Sequence, residues 1–521
     1  MPTYLTPGVY IEEMPSGSMP LSAAGTAVAA FVGFTQKAPI DDPKDPDGLR
    51  PRMVTNWTQY KKHYGGFTNS ALLPLAVHGF FLNGGGRCYI VRIPHRTSGR
   101  AAITAGKDQP ILDFISCAED GEVVVDVAPT APAAATKDKP AAATKDKHDA
   151  PPTFDVVVKR AGKIEEKFEG LTLAKGNRNV ATVINQASAL IEVITKVDEA
   201  TPVVAKSYTL APPTKLEVKT STFDGDAQRR EGVQGLVIAD DVTMVMVPDL
   251  YTAAIAGRTE PDPDLWVGVQ KALIAHCEGE ANRMAILDPP PGLDPQGVKA
   301  WSDLVGYDSK FATLYYPWLK VDNPAGTNGN KTVFVPPCGH MAGIWARTDN
   351  TRGVWKAPAN ETVLGVLDVQ SQITKLEQEI LNPDGINAIR AFGSRGLKVW
   401  GARTLSRTDP SWKYINVRRL FNMVEATIMD GTQWVVFEPN DQALWQRVNR
   451  TVYAFLLGLW RDGALFGASP EEAFFVKCDG ETNPPESIDE GKLVVEVGLA
   501  PVKPAEFVIF RFSQKTLEST S

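Results

Sequence analysis

Asp249 and Asp288 each follow a strand-like apolar run, Thr243 to Val247 and Met284 to Leu287, so they stand where open α/β sheets hold their ligands. A hydrolase built on either acid is therefore the first chemistry to weigh. His340 is a third candidate, a general base two residues from the Cys338 thiol in Pro336-Pro337-Cys338-Gly339-His340-Met341-Ala342-Gly343, which reads as a Gly/Pro-rich loop. The surroundings of all three argue for structural roles. Asp288 runs into Pro289-Pro290-Pro291, and an aspartate that caps or bends a turn accounts for both acids. No acid is placed by the sequence to orient His340. The chain has no Gly-x-Ser-x-Gly elbow, no phosphate loop ending in Gly-Lys-Ser/Thr and no His-Glu-x-x-His pair. Gly84-Gly85-Gly86-Arg87 precedes a strand instead of following one, the wrong place to cradle phosphate on a helix N-terminus. His276-Cys277-Glu278 ends a helix, where adjacent side chains diverge and do not converge on a metal. The expectation is a protein with no catalytic residue, no cofactor and no metal.

The elements around these residues alternate. Before a central insertion come the apolar run Ala27 to Phe34, a helical stretch Ala71 to Leu82 and a strand Cys88 to Ile93. After it come Thr243 to Val247, a helix Leu265 to Glu278, Met284 to Leu287, a helix near Val298 to Val305, and Phe311 to Tyr315. Continuous apolar strands separated by helices imply a largely parallel sheet covered on both faces. The insertion, residues 101–232, reads as a β-rich outer domain with strands Glu122 to Val127, Phe154 to Lys159 and Leu190 to Lys196 and one helix, Val180 to Ala189. Within it, Ala128 to Pro152 carries AAATKDK twice and reads as a solvated linker. From Asn382 an α+β domain is expected. It has a strand Leu397 to Arg403, a helix with Val417, Leu420, Phe421, Val424 and Ile428 on one stripe, and a buried strand Trp434 to Phe437. A long helix capped by Pro439-Asn440-Asp441 follows, then strands Phe474 to Cys478, Leu493 to Gly498 and Phe507 to Phe512. The fold class is thus α/β plus α+β.

Composition narrows the partners. The chain has 521 residues, 43% of them hydrophobic and 22% charged, the balance of an ordinary globular protein too long for one core. No apolar run of about 18 residues is present to span a bilayer, so no direct membrane insertion is expected. The start lacks the basic and apolar regions of a secretory signal, so cytoplasmic synthesis and assembly are expected. A net charge of −7 without a long basic block argues against nucleic acid. Cys88, Cys117, Cys277, Cys338 and Cys478 are scattered and read as reduced, buried thiols.

Several longer runs are similar to the contractile phage tail sheath family. They are the opening Leu5-Thr6-Pro7-Gly8-Val9-Tyr10-Ile11-Glu12-Glu13 and Gly84-Gly85-Gly86-Arg87-Cys88-Tyr89-Ile90-Val91-Arg92. Further on come PPCGHMAGIWARTDNTRGVWKAPAN from Pro336, LNPDGINAIRAF from Leu381, VWGARTLS from Val399, WKYINVRRLFNMVE from Trp412, GTQWVVFEPND from Gly431 and APVKPAEFVIFRF from Ala500. The resemblance spares residues 101–232. It implies a subtilisin-like α/β middle domain without the protease residues and a smaller C-terminal domain. It also implies a subunit that polymerises around an inner tube and contracts to drive that tube through a target envelope. The layout it suggests is an arm (1–20), a split core domain (21–100 and 233–381), the insert (101–232), a C-terminal domain (382–500) and a second arm with tail (501–521).

The partners implied are further copies of the chain, the inner tube protein, and baseplate and terminal cap proteins. The arms would link subunits through Val9, Tyr10, Ile11, Phe507, Ile509, Phe510 and Phe512. Phe507 to Phe512 is apolar on both faces, and such a terminal strand is an aggregation hazard unless it is paired. In this family a helix of the C-terminal domain faces the tube. The helix from Asn440 to Arg461 fits that role, with Arg447 and Arg450 opposite its apolar stripe. The alternatives are another self-assembling subunit, of a capsid or an adhesin, and a degenerate α/β hydrolase.

Overall fold

The computed structural model describes residues 21–40, 42, 44–45, 47–105, 109–130, 152–196, 203–326 and 331–511. Val9, Tyr10, Ile11, Phe512 and the repeat-bearing linker 131–151 lie outside them. The chain divides into a larger unit, residues 27–347 and 358–410, and a smaller one, residues 1–26, 348–357 and 411–521.

The larger unit is built on an eight-stranded sheet. Six neighbours run parallel, in the order Arg87–Arg92, Val28–Gly33, Met244–Met246, Met284–Leu287, Ala312–Tyr316 and Ile386–Ala391. Arg52–Val54 closes one edge antiparallel and Leu397–Val399 the other. Every residue of Val28–Gly33, Met284–Leu287 and Ala312–Tyr316 is buried, because helices cover both faces. On one face Val28, Ala30 and Val32 share a core with Trp266 and Leu273 of helix Pro263–Glu280 and Val298 of helix Pro295–Val305. On the other, Phe31 meets Phe80 of helix Leu73–Leu82 edge-on at 5.5 Å, and Trp345 of helix Cys338–Arg352 donates to the Tyr315 hydroxyl at 2.9 Å.

Cys338-Gly339-His340-Met341-Ala342-Gly343 is therefore the start of a helix, where a Gly/Pro-rich loop was expected. Its glycines lie four apart on one face, and the backbone of Leu73–Leu82 touches both. A Cβ on Gly339 would come within 2.4 Å of the Ala76 carbonyl oxygen, and one on Gly343 within 2.5 Å of that of Phe80.

The insertion has its own core, which includes Phe114, Val125, Val156, Ile184 and Leu210. Four antiparallel strands, Lys206–Leu210, Val123–Pro129, Phe154–Arg160 and Lys163–Leu171, form one sheet; Arg100–Ala105, Gln109–Ser116 and Ile191–Thr195 form another. It ends sooner than the expected residue 232. Phe223, on helix Thr220–Asp224, and Val233 are buried in the parallel sheet's core beside Trp266.

Three further expectations change. The strand Ile386–Ala391 pairs with Ala312–Tyr316, so residues 386–410 complete the α/β sheet, and the smaller unit resumes at Ser411 instead of 382. Residues 21–26, expected in the core domain, group with the smaller unit. Trp434 to Phe437 is not a buried strand. Gln433–Val435 is a short 3-10 turn, Val436 and Phe437 are exposed, and Phe437 has φ +67°. Ten residues between helices Ile415–Gly431 and Gln442–Arg461 give such a strand no partner to pair with. Those two helices, with the antiparallel pair Phe474–Lys477 and Glu496–Leu499, form the α+β smaller unit. Its core includes Leu420, Val424, Leu444, Val448, Val452 and Leu456.

Candidate functional site

The chain order places the strand reversal of the parallel sheet between Val28–Gly33 and Met244–Met246, the crevice in which doubly wound folds bind ligands. Asp249 fills it. Its Oδ2 accepts from the backbone N–H of Phe34 at 2.7 Å and of Leu73 at 3.3 Å, and its Oδ1 accepts from that of Leu72. The carboxylate thus occupies the anion position at the N-terminus of helix Leu73–Leu82. It is fully buried, and a Cβ on Gly33 would lie 2.5 Å from Oδ2. Burial pushes its pKa up to about 7, against the pull of those backbone donors.

Asp288 repeats the device, accepting from the Cys338 N–H at 3.0 Å at the start of helix Cys338–Arg352. Burial raises it too, to about 7, and pushes the Cys338 thiol well above its usual range. The cavity beside Asp288, lined by Tyr251, Trp266 and Trp318 among others, has about 10 Å³ of space, room for one water. His340 is buried against Gly79, where a Cβ would come within 2.4 Å of the imidazole. Desolvation holds it neutral with a pKa near about 4, and its Nδ1 has no hydrogen-bond partner. Each acid is engaged with a helix end, and the imidazole is packed between two helices.

The smaller unit holds the residues expected to act in assembly. Helix Gln442–Arg461 begins at Asp441, whose Oδ1 accepts from the Leu444 N–H at 2.8 Å. Arg447 and Arg450 differ. Arg447 pairs with Glu438 at 3.0 Å and lies over the Trp434 ring at 5.3 Å, whereas Arg450 is exposed along with Gln446 and Ala454.

Described residues near both ends of the chain, Ala24, Val502 and Glu506, are tethered within this unit. Ala24 N–H donates to Thr427 Oγ1 at 2.9 Å. At the other end Asn416 Nδ2 donates to the Val502 carbonyl at 3.1 Å, and the Tyr414 hydroxyl donates to Glu506 at 3.1 Å. Beyond Glu506, Phe507, Val508, Ile509 and Phe510 are exposed by 72%, 69%, 77% and 77%, and among the described residues this segment forms no strand. Within the same unit, Phe474–Lys477 and Glu496–Leu499 make a two-stranded sheet among the described residues. On the outer side of the first strand, Asn449 Nδ2 donates to the Val476 carbonyl at 3.3 Å and Phe474 N–H donates to the Pro470 carbonyl, so the outer edge of Glu496–Leu499 is the one left without a strand partner.

Sequence reasoning passed over Arg418 and Arg419, which lie inside helix Ile415–Gly431 and are both buried. Arg419 forms a two-pronged pair with Asp349, at 2.9 and 2.5 Å, and also donates to the Thr26 carbonyl at 2.9 Å. Arg418 holds Glu425 and stacks over Trp412 at 4.3 Å. An Arg-Arg pair inside an apolar helix pattern was the available signal.

The elements expected to act are therefore those of assembly, the class of a structural component of a contractile tail. Residues 253–405 match the phage tail sheath protein central domain and residues 407–515 the phage tail sheath C-terminal domain. The chain belongs to the phage tail sheath family. It is 24% identical to the tail sheath protein of Vibrio phage KVP40 over 54% of this chain and 41% of that one, so the match spans under half of that relative. The sheath of an extracellular contractile injection system, PVC, in its contracted state is 25% identical with a TM-score of 0.57, over 99% of both chains. The contracted helical sheath of the anti-feeding prophage is 26% identical with a TM-score of 0.59, over 98% of this chain and 100% of that one.

Proposed function

We propose that this chain is a structural subunit of a contractile sheath, one that polymerises around an inner tube and shortens to drive the tube through a target envelope. The likeness to two contracted sheaths along nearly the whole of both chains carries this reading. Baseplate and cap proteins would hold the ends of the polymer. The parallel sheet, read as subtilisin-like, serves as a rigid body: its ligand crevice is plugged by Asp249, and it has no part in hydrolysis. The polymer works because energy is stored in a metastable lattice and released through coupled interfaces, so a catalytic centre is not required.

The links that survive contraction are assigned to the chain ends. The N-terminal segment with Val9, Tyr10 and Ile11, and the C-terminal segment with Phe507, Ile509, Phe510 and Phe512, add strands to the two-stranded sheet of neighbouring copies. The exposed apolar run supports this, and so does the outer edge of Glu496–Leu499, which has no strand partner among the described residues. Four to six backbone hydrogen bonds at ~0.5–1.5 kcal/mol, with burial of the aromatic side chains, give several kcal/mol per link. Helix Gln442–Arg461 is assigned to the tube through Arg450, with Arg447 as its brace. The insert lies on the outer surface. Negative-stain microscopy of the expressed chain with its tube protein tests the proposal: striated tubes of helical order are expected, and closed shells or monodisperse monomers under assembly conditions would overturn it.

A further inference from the structure

A second cavity lies in the larger unit where the loop after strand Val28–Gly33 meets the start of the insertion, with a volume of about 270 Å³. That is space for a ligand of several heavy atoms. Four cations line it, Lys37, Arg92, Arg96 and Arg100, against two carboxylates, Asp47 and Glu192. The cations come from separate elements. Arg92 ends a strand of the parallel sheet, Arg100 begins a strand of the insertion, and Lys37 and Arg96 sit in the loops between.

Three of the four are held by backbone carbonyls, which orient a cation without neutralising it. Lys37 Nζ donates to Ser188 O at 2.8 Å, Arg96 Nη2 to Gln36 O at 3.2 Å and Arg92 Nη1 to Asp47 O at 2.9 Å. Arg100 faces Asp47 as an ion pair, at 3.6 Å with both side chains largely exposed, while Asp47 and Glu192 act on Arg92, and Glu119 on Arg96, through their charges. Arg92 also keeps a buried Nε–H with no acceptor, and the buried His95 ring lies nearby, behind the lining of the cavity. An unmade buried hydrogen bond is costly, and an acceptor-only ligand removes that cost. Burial, with Arg96 beside it, lowers the pKa of Arg92. Burial first, and then the two guanidiniums, push that of His95 down to about 3.

We propose that this cavity binds a multivalent oxyanion of the phosphate class, gripped by Lys37, Arg92 and Arg96 with Arg100 at its mouth. Guanidinium forks match phosphate oxygens two at a time, which favours this class over a monovalent ion. The ligand joins Arg92 of the parallel sheet, with the loop cations Lys37 and Arg96, to Arg100 of the insertion, and so fixes the insertion on its base.

The test is calorimetric titration and thermal denaturation of the full chain with sodium pyrophosphate, in phosphate-free buffer matched in ionic strength with sodium chloride. Saturable binding of one pyrophosphate per chain is expected, with an upward shift of several degrees in the melting temperature. Arg96→Gln and Arg92→Gln should each weaken it about tenfold or more. Arg100→Gln, at an exposed position, reports on the same site should Arg92→Gln fail to fold. The proposal falls if matched chloride gives the same stabilisation, if citrate binds as tightly as pyrophosphate, or if Arg96→Gln and Arg100→Gln bind like the parent.

Discussion

Replacing Ile509 and Phe510 together by aspartate should abolish polymerisation and leave the subunit folded. Both side chains are 77% exposed, so the subunit itself should change by no more than ~0.5 kcal/mol. In a strand added to a neighbour, most of that exposed surface becomes buried. Full burial of a large apolar side chain is worth about 1.5–3 kcal/mol, so the pair supplies ~2–5 kcal/mol per link at this exposure. Its loss lowers each association constant by about 30- to 4000-fold, before any cost of burying two carboxylates. Sedimentation velocity and negative-stain microscopy read the assembly, and thermal denaturation reads the fold. Ordered tubes from the double variant would refute the arm mechanism, and so would a melting temperature lowered by many degrees, which would place the two residues inside the subunit.

The remaining predictions concern other links in the argument. Pro129 and Phe154 are directly paired across a hairpin, and Thr130 N–H donates to Thr153 O at 3.0 Å. Replacing residues 132–151 by an Asn-Gly turn should therefore leave folding and tube formation unchanged, and loss of tubes would make the linker part of the lattice. Arg450→Glu should weaken loading of the sheath on its tube, most clearly at low salt, without altering thermal stability. Arg447→Glu should also disturb the Glu438 and Trp434 contacts, and equal loading by both variants in a co-sedimentation assay would remove this helix from the tube interface. Arg419→Ala strands the buried Asp349 carboxylate and should cost about 3–5 kcal/mol in urea denaturation; a loss under 1 kcal/mol would show the pair to be dispensable.

The parallel sheet was legible because its strands are apolar without interruption, as burial on both faces requires. Val28–Gly33, Met284–Leu287 and the long helix after Asp441 all lie within a few residues of their expected places. The misreadings have local causes. The glycines that suggested a loop at His340 serve helix-to-helix contact, a role decided by Ala76 and Phe80, far away in sequence. Ile386–Ala391 was put in the wrong domain because its parallel partner, Ala312–Tyr316, lies across a long crossover that no local pattern records. Trp434 to Phe437 has strand-like residues without a partner strand. Phe223 looked like part of the insertion because the chain re-enters the core only about ten residues after the insertion's last strand. At the candidate site, Asp249 and Asp288 were placed correctly at strand ends, but the sequence does not reveal the three backbone donors that make Asp249 a plug.

The central claim is that the chain ends bind copies of the chain into one contractile polymer. Cryo-electron microscopy of the assembled particle, refined far enough to trace the main chain, tests it most directly. The account predicts that residues 507–511 run as a strand against Glu496–Leu499 of a neighbouring copy, in both the extended and the contracted lattice. A lattice in which those residues fold back on their own subunit, or lie free in solvent while the polymer stays intact, would contradict it.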